Sequence, residues 1–480
     1  MNKLSVDVAV IGTGTAGLAA YRAAKAQGKH VVLIEGGPYG TTCARVGCMP
    51  SKLLIAASEA AHMLALAPGF GVHAGTIRID GKAVMERVRR ERDRFVGFVL
   101  ESVDNIPAED KLRGYARFTG PQSLQVDEHT SVEARRIVIA TGSTPNVPPP
   151  LRNVGKGAIV SDDVFEWTDL PRSVAVIGTG VIGLELGQAL NRLGVRVSFF
   201  ARGSNVAQIS DPHILQVAAG TLGEELDLRF GQTVVEARQD GDEVVLTTRD
   251  AGGVVSSERF EFVLSAAGRT PNVHKIGIEL TGLECDPHGV PLFDSSTMQC
   301  GSSTIFIAGD ANEERPVLPE AADHGKIAGD NAARYPDVRP GLRRTALAIA
   351  FTEPQIATLG ESYRQLCVHG KPRFAIGKVS FTNQGRSRVM LQNHGALRVY
   401  GEYTTGRFLG AEMIGPRAEH LAHLLSWACQ ARLTVAQMLE MPFYHPVIEE
   451  GVRTALRDLA AQLEQGAPVA QDTPESLPGV

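Results

Sequence analysis

The chain has 480 residues, 43% of them hydrophobic, and a net charge of −5 from 48 basic and 53 acidic side chains. That length supports several domains with cores of their own, and the near balance of charge, with no basic stripe, argues against nucleic acid as a partner. Six cysteines in so long a chain make no disulfide framework, no apolar run reads as a membrane span, and the N-terminus opens into a strand rather than a signal segment, so a cytoplasmic protein is expected.

In chain order, Val6 to Ile11 reads as an apolar strand interrupted by Asp7. Gly12-Thr13-Gly14-Thr15-Ala16-Gly17 follows, then a helical pattern through Ala26 and the strand Val31–Ile34, ending at Glu35. Strand, glycine turn, helix and an acid eighteen residues past the last glycine make a dinucleotide-binding unit. Gly12, Gly14 and Gly17 permit the tight turn and the approach of backbone to a pyrophosphate. The helix N-terminus faces its charge, and Glu35 accepts from a ribose.

Next comes Thr41-Thr42-Cys43-Ala44-Arg45-Val46-Gly47-Cys48-Met49-Pro50-Ser51-Lys52. Two thiols this close bind metal, bridge structurally, or cycle between dithiol and disulfide. A zinc site needs a second Cys or His pair at similar spacing, which the sequence lacks, so no metal is expected. A structural bridge over so small a loop gains little in an intracellular protein. On a regular helix Cys43 and Cys48 would lie on different faces, so the segment must distort, with Pro50 expected to help by removing the backbone bond to Val46. A strained, exposed bridge is the reducible kind, and a redox disulfide is the reading taken. Cys285, Cys300, Cys367 and Cys429 are scattered and read as ordinary thiols.

Helical segments then run to about Ala67 and from Gly81 to about Val103. The strand Arg135–Ala140 closes on Thr141-Gly142-Ser143, and the proline-rich Pro145–Pro150 marks a boundary. Val174–Ile177 opens a second fingerprint, Gly178-Thr179-Gly180-Val181-Ile182-Gly183, with a helix to about Leu193 and the strand Val195–Phe200. Two such units imply two dinucleotides. At the place that Glu35 holds in the first unit, the second has Ala201, followed by Arg202. An arginine there pairs with a 2′-phosphate and its missing acid no longer repels one, although Gln208 stands where a second arginine would help. Relaxed nicotinamide specificity follows, with NADPH used at least as well as NADH. Strand-like stretches near Val234–Val235, Val244–Thr248 and Phe260–Ala266 lead to Gly268-Arg269-Thr270-Pro271-Asn272. Thr304–Ala308 leads to Gly309-Asp310, an acid at a strand end aimed at a ligand crevice. From about Thr345 the pattern is α+β, with helices near Ala418–Arg432 and Val435–Leu439. The tail from Gly466, rich in Pro, Gln and Ala, reads as disordered.

The segment from Thr41 to Lys52 closely resembles the active-site segment of the flavin-dependent pyridine nucleotide–disulfide oxidoreductases, which include dihydrolipoamide dehydrogenase, glutathione reductase and mercuric reductase. The resemblance runs from about Val6 to about Leu463. It implies an α/β protein with two Rossmann-like domains, one for FAD and one for NAD(P)(H), and a C-terminal α+β dimerisation domain. The expected divisions are 1–150 for FAD and the redox disulfide, 151–272 for NAD(P), 273–344 completing the FAD domain, 345–465 for dimerisation and 466–480 as the tail. By resemblance, Cys48 is the sulfur beside the flavin and Cys43 the interchange thiol. Lys52 lies at the flavin ring with Glu185 as its partner, and Gly142 belongs to the turn closing the flavin domain. Gly268 and Arg269 belong to the turn ending the nicotinamide domain, and Asp310 binds the ribityl chain. His445 is the base, oriented by Glu450, in Pro442-Phe443-Tyr444-His445-Pro446-Val447-Ile448-Glu449-Glu450, and in a homodimer it reaches the partner's disulfide.

The branch it resembles most is dihydrolipoamide dehydrogenase, with a small dithiol or a separate lipoylated protein as substrate. Two places depart from that branch: Val317-Leu318-Pro319-Glu320 stands for Met-Leu-Ala-His, and Phe443-Tyr444-His445-Pro446 for His-Ala-His-Pro. Nothing follows Cys429 to match the C-terminal cysteine pair of mercuric reductases. An NADPH-dependent reductase of glutathione or another small disulfide is the alternative. A slow-turnover flavoprotein acting as a redox-responsive binding module is the alternative from another class.

Overall fold

The structure is a computed structural model that describes residues 2–368 and 374–466, so the expected tail lies, from residue 467 onward, outside the described residues. The first sheet centres on strand Asn2–Ile11, flanked in parallel by Val31–Glu35 and by Thr130–Ile139. Strand Ile305–Ile307 adds in parallel to Thr130–Ile139, while Ala116–Gly120 and Ser123–Val126 extend it antiparallel. Both faces of the central strands are buried. Val8, Val10, Val31 and Leu33 pack toward helices Thr15–Ala26 and Leu318–Arg334, and Ala9, Ile11, Val32 and Ile34 pack the other way. A strand alternates its faces, so a sheet covered on both sides needs the unbroken apolar runs that the sequence has here.

The second sheet is parallel, in the spatial order Asp227–Phe230, Arg196–Ala201, Ser173–Ile177, Phe262–Ser265, Ala158–Val160. The stretch Phe260–Ala266, expected as one strand, is two. Val255–Phe260 closes a three-stranded antiparallel sheet with Thr233–Asp240 and Glu243–Arg249, and Phe262–Ser265 enters the parallel sheet. The change of sheet falls at Glu261, whose amide donates to the Ser173 hydroxyl at 3.0 Å instead of continuing a ladder. The last part is a five-stranded antiparallel sheet, built from Leu347–Ala350, Gln355–Gly360, Phe374–Ser380, Ala396–Glu402 and Phe408–Gly415, with helices Ala418–Gln430 and Glu450–Gln465 packed on it.

Two features lock these parts together. One apolar cluster runs from Leu54 and Ile55 through Val176 and Leu184 to Ile356 and Ile414, so the second and last sheets share a core with the helix that follows the cysteines. Glu412, fully buried in the last sheet, accepts from the Ser210 amide at 2.7 Å and hydroxyl at 2.5 Å, the Asp211 amide at 2.8 Å and the Tyr363 amide at 2.9 Å. Four donors satisfy a carboxylate that burial would otherwise penalise.

The helical stretch Thr42–Phe70 is, by length and composition, apolar enough to cross a membrane, which corrects the reading that no run reaches that length. It packs on helices Gly81–Asp104 and Val181–Arg192, yet only 22% of its apolar stretch is buried in the single chain.

Helices Thr15–Ala26 and Leu318–Arg334 approach so closely that a Cβ at Gly329 would lie 2.2 Å from the Ala20 carbonyl oxygen. Gly329→Ala is therefore expected to destabilise by about 1–3 kcal/mol through overpacking. Gly220→Ala, in the exposed helix Pro212–Gly223 with nothing within 4 Å of the new Cβ, should instead stabilise by about 0.4–1 kcal/mol. Urea unfolding of both variants checks the pair.

Candidate active site

The two fingerprints fold alike. Gly12 and Gly178 adopt φ +106° and +112°, with a Cβ at each meeting the carbonyl of Ala140 or Ala266 at 2.3 or 2.6 Å. Gly17 and Gly183 press on the carbonyls of Gly12 and Gly178, so neither admits a side chain. Gly14 and Gly180, in contrast, have nothing within 4 Å of their Cβ positions, and the helices that they begin lack a side-chain cap. Uncapped amides behind an open glycine are what a pyrophosphate needs, so both cradles fit a dinucleotide. Glu35 accepts from the Thr13 amide at 2.8 Å, the Thr13 hydroxyl at 2.7 Å and the Gly37 amide at 2.7 Å. Both Thr13 donors meet Oε2, so Oε1, which accepts only the Gly37 amide, keeps capacity for a ribose hydroxyl.

The turns read as domain ends meet each other. Ser143–Pro145 pairs antiparallel with Arg269–Pro271, next to Gly142 and Gly268, both at positive φ. Arg269 donates to the Ser143 hydroxyl and carbonyl, each at 2.8 Å, and the Ser143 hydroxyl donates to Asp310 at 2.9 Å. Asp310 is thus reached from the second unit through Ser143, a residue with no motif to announce it.

Around the cysteines, the expected distortion occurs at Gly47, a correction to the role given to Pro50. Helix Thr42–Val46 stops, Gly47 turns the chain at φ −128° and ψ −116°, and helix Cys48–Leu66 starts afresh. Pro50 sits in that first turn, where a missing N–H costs nothing. A Cβ on Gly47 would lie 3.2 Å from the Cys43 Cα, so glycine lets the two turns close on each other. The thiols are free and near enough to share a hydrogen bond. Donation from Cys43, helped by the charge of Lys52 and opposed by burial, pulls Cys48 from the ordinary 9.0 to about 7. The same bond, with burial, pushes Cys43 up. The shared hydrogen bond and the charge of Lys52 thus favour a thiolate on Cys48 over one on Cys43.

Lys52, one turn past Cys48, pairs with Glu185 at 2.7 Å. Its ammonium stands 4.7 Å from the centroid of the Phe351 ring, and the other oxygen of Glu185 accepts the Phe351 amide at 2.9 Å. Arg202 is exposed just past Ala201, with no ion pair among the described residues, and Gln208 is exposed nearby. His445 lies in the last part, its side chain 80% exposed, with Nδ1 at 3.0 and 3.1 Å from the Glu450 oxygens. The bond to His445, aided by the Val447 amide, holds the Glu450 carboxyl below the usual range. Within the chain no hydrogen bond joins His445 to either cysteine among the described residues. No cluster of three or more metal-ligating side chains occurs among them either.

Residues 6–325 match the pyridine nucleotide-disulphide oxidoreductase family, and residues 347–456 match its dimerisation domain. The chain belongs to this family. Relatives include a mercuric reductase of Shigella flexneri, 30% identical over 482 residues, covering 96% of this chain and 82% of that protein. A dihydrolipoyl dehydrogenase 3 of Pseudomonas aeruginosa is 29% identical over 480 residues, covering 96% and 99%. Among solved structures, the fold is shared with the copper(II) complex of the HOCl-induced flavoprotein disulfide reductase RclA from Escherichia coli, at TM-score 0.79 and 22% identity over 95% of this chain and 99% of that one. LpdA from Mycobacterium tuberculosis gives the same TM-score, 0.79, at 22% identity and the same coverage, 95% and 99%. Members of the family depend on FAD and use NAD(P)H, and both open cradles suit those cofactors.

The shared proton gives a direct expectation. Thiolate absorbance of the reduced protein should rise with a midpoint near 7 for one thiol. Cys43→Ala removes the donor and should move the Cys48 midpoint up, toward the ordinary thiol value, as should Lys52→Met by removing the cation. Ultraviolet titration of the three proteins checks this.

Proposed function

We propose that the protein is a flavin-dependent disulfide oxidoreductase that passes two electrons between NAD(P)(H) and a dithiol or disulfide, with dihydrolipoamide as substrate. The paired Cys43 and Cys48, poised as proton donor and thiolate, carry this reading. Bound FAD supplies hydride chemistry between nicotinamide and thiol, and the protein supplies position and electrostatics. Cys48 presents its thiolate beside the ring, near Lys52 and Glu185. Cys43 exchanges with the substrate sulfur, and because it holds the proton it needs a base. His445, oriented by Glu450, is that base. Gly12, Gly14, Gly17, Glu35, Gly142 and Asp310 hold FAD. Gly178, Gly180, Gly183 and Arg202 hold the nicotinamide nucleotide, and Gly268 and Arg269 tie its unit to Ser143.

The substrate reading rests on the relatives named dihydrolipoyl dehydrogenase, which align along nearly their whole length. The mercuric reductase match is of similar identity, so mercuric ion belongs among the substrates tested. Steady-state turnover with lipoamide, glutathione disulfide and mercuric ion, each with NADH and NADPH, tests the reading. Lipoamide should give the highest kcat/KM, and a clear preference for either of the others would overturn it. In the same assay Arg202→Ala should weaken NADPH use by about ten- to a hundredfold, the worth of a charged hydrogen bond of about 1.5–3 kcal/mol, and leave NADH nearly unchanged. A strong NADH preference in the parent protein, unaltered by that change, would remove Arg202 from the site.

The working unit is a homodimer in the cytoplasm. His445 is exposed and unconnected to the cysteines of its own chain, and the apolar face of Thr42–Phe70 stays largely uncovered. A dimerisation-domain match spans the last sheet and the loop before helix Glu450–Gln465 that carries His445. Cys43→Ser and His445→Ala chains, each inactive alone, should regain part of the activity when mixed and reassembled, because one of the two sites in the heterodimer is intact. Full activity of a monomer at assay concentration would contradict this.

A further inference from the structure

Away from both fingerprints and from Cys43 and Cys48, the last sheet borders an open cavity of about 280 Å³ to which five arginines contribute. Arg315 approaches from just before helix Leu318–Arg334, Arg343 and Arg344 from the segment leading to strand Leu347–Ala350, Arg407 from just before strand Phe408–Gly415, and Arg432 from just after helix Ala418–Gln430; the one acid lining it is Glu361. Three of these cations are balanced from behind. Arg315 pairs with Glu320 at 2.9 Å, Arg343 with Glu314 at 3.0 Å and Glu320 at 3.2 Å, and Arg344 with Asp323. Arg407 and Arg432 have no ion pair among the described residues. Arg432 is exposed and Arg407 half-buried, and neither has an ion-pair partner among the described residues to offset their repulsion.

Three further observations point to a missing anion. The Nε atoms of Arg407 and Arg343 are buried without an acceptor, a costly state for an N–H. Gln430, exposed at the rim, spends its carbonyl oxygen on the amide and hydroxyl of Thr345, at 2.6 and 3.1 Å, and so can turn only its NH₂ to a ligand. Arg432 is held at φ +56°, a conformation that helix ends normally give to glycine or asparagine. The negative end of the helix explains one cation there, but not five around one cavity.

We propose that this cavity binds a pyrophosphate group, free or carried by a small nucleotide. Guanidinium forks match phosphate oxygens two at a time, the free Gln430 amide adds a neutral donor, and the space exceeds that of one phosphoryl group. The test is calorimetric titration of FAD-loaded protein, with saturating NADP⁺ present so that both dinucleotide cradles are filled. The titrants are inorganic pyrophosphate and ADP. Saturable binding of one equivalent per chain is expected, weakened about ten- to a hundredfold by Arg407→Gln. Arg432→Gly should raise the melting temperature, because it relieves the left-handed backbone, and yet weaken binding. That opposition would not arise from a purely structural role. Tighter binding of pyrophosphate assigns the free anion, and tighter binding of ADP assigns the nucleotide. Absence of saturable binding, or affinity unchanged in both variants, overturns the proposal; if Arg407→Gln fails to fold, Arg432→Gly alone decides.

Discussion

Glu185 is a carboxylate that the interior admits because three parts of the chain converge on it. It is 4% exposed, with the Lys52 ammonium at one oxygen and the Phe351 amide at the other. Lys52 comes from the helix behind Cys48, Glu185 from the helix of the second fingerprint, and Phe351 from the entry to the last sheet. A buried ion pair adds little net stability, yet losing one partner costs about 3–5 kcal/mol because a bare charge remains. The pair therefore acts as a locating pin, fixing the helix behind Cys48 against the second fingerprint unit. Gln188, one turn further on, repeats the arrangement without charge. It accepts the Glu353 amide at 2.8 Å and donates to the Glu353 carbonyl at 2.8 Å and to Glu225 at 3.0 Å.

The two fingerprint units differ at one atom pair that explains much of their divergence. In the first, the Thr13 hydroxyl donates to Glu35, the acid that ends the second strand. In the second, the matching Thr179 has no acid to meet, and its hydroxyl donates to the Asn205 carbonyl at 2.5 Å. The threonine is kept and its acceptor replaced, so the loop after Ala201 is drawn toward the glycine turn. That redirection leaves Arg202 at the rim with no competing carboxylate beside it.

Much of this was legible because glycine spacing and apolar runs act locally. Gly12, Gly17, Gly178 and Gly183 mark backbone contacts that exclude a Cβ, and Cys43 and Cys48 find each other within one short segment. What the sequence hid are contacts between distant stretches. Ser143 looks like any turn residue until the pairing of Ser143–Pro145 with Arg269–Pro271 places it between Arg269 and Asp310. The crossing at Glu261 was hidden because Phe260 and Phe262 are apolar alike, although they serve different sheets. The break before Cys48 was read onto Pro50, the stronger helix breaker, whereas the close approach to Cys43 needed the absent side chain of Gly47. The arginine cavity was invisible too, since its cations come from positions 315 to 432.

The buried Glu412 constrains how the second fingerprint unit can move against the last sheet. Its four donors come from the Ser210–Asp211 turn of that unit and from Tyr363 near the last sheet. Asp211, itself fully buried, returns the grip by accepting from Tyr400 at 3.0 Å and Arg398 at 3.1 Å. The two-stranded ribbon at Ser143 and Arg269 resembles a hinge, yet a swing about it would have to strip two buried carboxylates of their donors at once. The turn after the second fingerprint is thus clamped to the last sheet by paired, desolvated charge, and any separation of the two exposes carboxylates that have lost their partners.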